Sequence, residues 1–148
     1  MPPNTRLWLP FGLAVFVATL FGSIVQTQFN LAALQQLGAS ISPAVRLQTT
    51  AHDLLGFSPT LAALVIAAFI VALPLTAWAA PAGGVLRWLA FILAGALAVW
   101  LALLAANAVA PMPTLIGANR SLSGTLALML CGSLGGLVFA RFSGAARR

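Results

Sequence analysis

The chain has 148 residues, 61% of them hydrophobic and 5% charged, and seven arginines against a single aspartate give it a formal charge of +6. That is too little polar surface to coat a water-soluble globule, so the chain belongs in a lipid bilayer. Its basicity does not point to nucleic acid, because no solvated basic face with aromatic platforms is present; membrane lipids and other membrane proteins are the partners it suggests.

Crossing a hydrocarbon layer of ~30 Å takes about 20 helical residues, and the first apolar run, at about residues 7–26, has that length. Apolar residues surround it on all sides instead of alternating, which favours a helix over a barrel strand. The following stretch, SIVQTQFNL, offers no A-x-A cleavage site, so the run reads as a retained anchor and not a signal peptide.

Residues 27–59 form the one large non-spanning segment. Asn30 is placed to cap a short helix over about residues 30–37, stopping at Gly38. Ser42 followed by Pro43 starts a second short helix over about residues 43–55, ended by Gly56, and Ser58 with Pro59 repeats the start signal. On a wheel of 100° per residue with Arg46 at zero, Asp53 falls at about −20°, Thr50 at +40°, Thr49 at −60° and His52 at −120°. Leu47, Leu54, Leu55, Ala44 and Ala51 fill the opposite arc.

This amphipathic pattern predicts an interfacial helix lying flat on the outer leaflet. Arg46, Thr49, Thr50, His52 and Asp53, with Arg120 from the next outer connection, are the candidate ligand- or partner-binding residues, lining an outward-facing polar recess. A carboxylate beside a bilayer calls for a cation, so Asp53 is expected to pair with Arg46 or Arg120. His52 and Asp53 point about 100° apart, so they do not converge on one metal ion, and no metal site is expected.

Three more apolar runs follow, at about residues 60–80, 86–108 and 122–142. Pro74 lies deep inside the second and is placed to kink it. In the third, Ala94, Ala98, Ala102 and Ala106 form a row of period four; in the fourth, Gly124, Gly132, Gly136 and Ala140 do the same, interrupted by Leu128. Small residues at that spacing let helices approach closely in lipid, so these rows are expected to face each other or another subunit. Trp8, Trp78 and Trp88 mark one membrane interface, whereas Trp100 is mid-span and is expected at a helix contact or a subunit interface. Cys131, the only cysteine, is read as a small apolar packing residue.

The fold expected is therefore an all-α integral membrane protein: one domain, residues 1–148, with four transmembrane helices and two short amphipathic helices in the outer loop. Arg6, Arg87, Arg141, Arg147 and Arg148 fall on one side and Arg46 and Arg120 on the other, which puts both termini in the cytoplasm of a bacterial inner membrane. With no glutamate, lysine or tyrosine, and one histidine, no catalytic constellation or paired haem ligation can be assembled. The chain reads as a non-catalytic accessory or assembly subunit that docks on other membrane proteins or on itself, with no intrinsic cofactor. A lipid- or quinone-binding protein is the alternative, and a small transporter or channel a weaker one.

Overall fold

Helix α1, Thr5–Gln36, runs without a break through the region in which two separate helices were expected. The computed structural model describes residues 5–81, 83–109 and 116–144. The Arg6 side chain, Arg147, Arg148 and residues 110–115 of the second outer connection, all used in the sequence reading, lie outside the described residues. The correction at α1 has a simple cause: QTQFN contains neither proline nor glycine, and Asn30 does not cap a new helix. The helix ends only where Gly38 adopts a left-handed φ of 93°. There the Ala39 N–H returns to the Leu34 carbonyl and the Gly38 N–H to that of Gln35, a Schellman closure.

Helix α2, Pro43–Gly56, starts at Ser42, whose side chain accepts the Val45 N–H. Helix α3, Ser58–Ala79, follows after one residue, Phe57. The pair behaves as one long helix interrupted at Gly56–Pro59, because Pro59 has no N–H to continue the ladder. Helix α4, Gly84–Val109, leads to a 3-10 turn, Gly117–Arg120, and then to α5, Leu122–Ser143, whose N-cap Ser121 accepts the Gly124 N–H. Among the described residues four helices, α1, α3, α4 and α5, are long and apolar enough to cross a membrane, consistent with an all-α, multi-pass bundle.

Helix α5 is the centre of the bundle, packed along α1 on one side and α4 on the other, while α3 closes the ring against α4 and α1. Glycine makes this geometry attainable. A Cβ on Gly132 would strike the Gly95 carbonyl oxygen, one on Gly95 the Gly132 carbonyl oxygen, and one on Gly136 the Phe91 carbonyl oxygen. On the adjacent side of α5, a Cβ on Gly135 would lie 2.9 Å from the Ala14 carbonyl oxygen and 2.7 Å from the Phe69 ring. Backbone-to-backbone contact of this kind substitutes for the hydrophobic effect, which does little between helices in lipid.

The small-residue rows are therefore paired differently from the sequence expectation. Gly132 and Gly136 of α5 meet Phe91 and Gly95 of α4, one residue out of register with the alanine row. Ala98 and Ala102 instead line an apolar groove between α3 and α4, together with Leu64, Ala68 and Val71. Gly124 packs on the Ala118 carbonyl, and Ala140 is buried in the core. Ala94 and Ala106 are half-buried. Trp100 is 39% exposed on the bundle surface.

Candidate functional site

The first transmembrane helix carries a polar column on its inward face. Thr19, Ser23, Gln26 and Thr27 fall at i, i+4, i+7 and i+8, and all four are buried, Ser23 and Thr27 at 0% exposure. Buried polar groups need partners, and here α2 and the 3-10 turn supply most of them. The Gln26 side-chain oxygen accepts the Ala118 N–H of the 3-10 turn at 2.7 Å. Asn30 lies against Gly117, where its carbonyl oxygen occupies the space a Cβ would take.

The other partner is α2. Arg46 donates to the side-chain oxygens of Gln28 at 2.6 Å and Gln35 at 2.9 Å. Gln28 donates to the Thr50 hydroxyl at 3.1 Å, and the Thr27 hydroxyl donates to the Asp53 carboxylate at 2.7 Å. One turn further, the Ser23 hydroxyl approaches the Asp53 carbonyl at 3.4 Å. As numbers rise along α2 from 46 to 53 they fall along α1 from 35 to 23, so the two helices are antiparallel. Helix α2 does not lie flat on the leaflet; it stands against α1.

Its orientation corrects the proposed outward recess. Arg46, Thr50 and Asp53 do come together, but they face α1 and are engaged there. Thr49 bonds back to the Val45 carbonyl within its own helix. His52 points away from the cluster and is exposed. Arg120 ends the 3-10 turn, which is seated on α1 and α5. The group that donates to Asp53 is the neutral hydroxyl of Thr27, and Arg46 gives its guanidinium to two glutamines. The face α2 turns outward is its apolar one: Leu47 is 74% exposed and Leu55 83%.

Two helices measure the depth of this cluster independently. From Trp8 to Thr27 along α1 is about 28 Å, and from Trp78 back to Ser58 along α3 is about 30 Å. The start of α1 and the later part of α3 lie side by side, since Leu7, Trp8 and Phe11 line one apolar cleft with Ile70, Leu73 and Pro74. Taking the indoles as one interface, Asp53 and the α2–α3 junction sit at the opposite edge of a ~30 Å hydrocarbon layer. Everything above them, the end of α1 and most of α2, projects beyond it.

At the opposite end, Arg87 is 7% exposed and does more than mark a topology. It donates to the carbonyl oxygens of Ala77, Ala80 and Pro81, closing the C-terminal end of α3, and lies over the Phe91 ring at 5.8 Å. The sequence reading assigned no role to Ser23, Thr27, Gln28, Gln35 or Gly95. The signal for the first two was present in the recurrence of Thr19, Ser23, Gln26 and Thr27 on one face of an otherwise apolar run.

Compared with protein-family profiles, curated proteins and solved structures, the chain finds no match.

Proposed function

We propose that the chain is a non-catalytic accessory or assembly subunit of a larger complex in the bacterial inner membrane, with both termini cytoplasmic. The observation that carries this reading is the tip of the α1–α2 hairpin. Leu37 lies about 43 Å from Trp8 along α1, roughly 13 Å beyond the hydrocarbon edge. Leu34, Leu37, Val45 and Leu47 are all exposed there, Leu37 at 85%. Apolar side chains held rigidly outside the lipid core form a surface for another polypeptide, and the fit is to an apolar extramembrane face of a membrane-embedded partner. Arg46, Thr50 and Asp53 are engaged in holding the hairpin together.

The experiment is purification in mild detergent of the wild-type chain beside a Leu37→Ser, Leu47→Ser variant. The wild type should run as a larger particle with a stoichiometric second polypeptide, and the variant as a free chain. Recovery of the wild type only as a free monomer contradicts the proposal.

The groove between α3 and α4 favours a second reading, a carrier of an amphiphile whose tail lies along Leu64, Val71, Ala98, Leu101 and Ala102. Native mass spectrometry would then show a retained lipid or quinone that Ala98→Phe expels; equal retention in that variant counts against it.

A further inference from the structure

The face of α4 turned away from α5 carries a pattern that packing within the chain does not use. Gly95, which meets Gly132 of α5, sets the zero of a wheel drawn at 100° per residue. Leu86 and Leu104 then fall at about 180°, Leu93 and Leu97 about 20° to either side of them, Trp100 at about 140° and Asn107 at about 120°. Leu86, Leu93, Trp100 and Asn107 recur at intervals of seven residues, and Leu97 and Leu104 each follow four residues after a member of that row. Large side chains at alternating steps of four and three make a coiled-coil seam, a narrower pattern than the all-round apolarity that lipid requires. The five apolar members are exposed, from 39% at Trp100 to 67% at Leu86.

Acyl chains would cover the leucines of this seam adequately, but two of its members are polar. Along α4, Trp100 lies about 18 Å from Trp88, well inside a ~30 Å hydrocarbon layer, and Asn107 about 28 Å from it, at the far edge. Among the described residues, neither the Trp100 indole N–H nor the Asn107 carboxamide has a hydrogen-bond partner. A polar group held in hydrocarbon without a partner costs free energy, and lipid tails offer none at the depth of Trp100.

We propose that this face is the contact between two copies of the chain, α4 packing against α4 of the second copy in parallel about a two-fold axis along the membrane normal. Copies inserted in the same orientation hold each residue at one depth, so every seam residue meets its own counterpart. A carboxamide carries donors and an acceptor and is complementary to itself, so Asn107 pairs with Asn107 of the second copy; an asparagine pair in a leucine seam fixes register and favours two strands. Trp100 meets Trp100 of the second copy, where an edge-to-face pair aims the N–H of one indole at the ring of the other. The leucines interlock at the crossing angle of about 20° usual for left-handed pairs in membranes, in which side chains fill the space between the backbones. The hairpin tip takes no part in this contact, and the proposal does not rest on its docking role.

The test is oxidative cross-linking of single cysteines in native membranes, in the full chain with Cys131→Ala. Leu97→Cys and Leu104→Cys should each give a disulfide-linked dimer of the chain, and Leu130→Cys, exposed on α5, should not. The dimer should persist when Leu37→Ser and Leu47→Ser are added, which separates this contact from that of the tip. Energy transfer between two labelled copies in proteoliposomes should show Asn107→Leu weakening association by about three- to tenfold, with a larger loss when Trp100→Leu is added. These side chains face outward from the bundle, so their replacement leaves the fold of the single chain intact. No dimer from either α4 position, an equal yield from Leu130→Cys, or association unchanged in the Trp100→Leu, Asn107→Leu variant overturns the proposal.

Discussion

Gly95 and Gly132 each stand where a single methyl group would collide with the other's backbone carbonyl. Gly95→Ala should therefore force α4 and α5 apart and lower the detergent Tm by several degrees, a cost of roughly 1–3 kcal/mol for overpacking. Gly12→Ala, with nothing within 4 Å of the added carbon, should be neutral or slightly stabilising, since it removes only backbone freedom from an exposed helical position. Thermal unfolding of the two variants side by side checks both. Thr27→Val should cost about 1–3 kcal/mol, because it leaves the Asp53 carboxylate without its hydroxyl donor, and Thr27→Ser should recover most of that. At this scale the sequence was partly legible. The α5 glycines stood out because glycine is costly in a helix without a packing reason, but Gly95 stood alone in α4 and was hidden beside a regular alanine row. The partner of Asp53 was misread because charge was given precedence over the hydroxyls of α1, whose facing direction depends on tertiary packing.

Among the elements, α2 shows how far an amphipathic wheel can go. Its boundaries, its Ser-Pro start and its two faces could be read from the pattern, because capping and periodicity are local. Which face turns inward could not, since that is decided by the polar column of α1: a buried row of hydroxyl and amide groups attracts the polar side of α2 and leaves leucines outside. The continuity of α1 past Gln26 was missed for a related reason. A drop in hydropathy marks the end of the lipid layer, not the end of a helix. The short turn between α3 and α4 depends on one side chain, and Arg87→Ala should remove its hydrogen bonds to the Ala77, Ala80 and Pro81 carbonyls together. A loss of roughly 2–4 kcal/mol is expected, read as a lowered Tm and faster proteolysis at Pro81–Gly84. Arg87→Lys should restore only part of it, because an ammonium cannot span three carbonyls as a planar guanidinium does.

For the whole molecule, composition and hydropathy were sufficient for the number of spans and the helical class, because the bilayer imposes a length and forbids unpaired backbone. Packing order, with α5 at the centre, depended on contacts far apart in sequence. The orientation predicted from the arginines is open to a direct check in a Cys131→Ala background. A membrane-impermeant maleimide should label Leu37→Cys in intact cells, and should label Gly144→Cys only after permeabilisation; the reverse pattern would invert the topology. The central claim, that the projecting tip of the α1–α2 hairpin binds another membrane protein, is tested most directly by a photo-crosslinking residue placed at Leu37 in native membranes, with one at the lipid-facing Leu126 as the control. The docking role predicts a discrete protein adduct from Leu37 and lipid adducts alone from Leu126, whereas lipid adducts alone from both positions would contradict it.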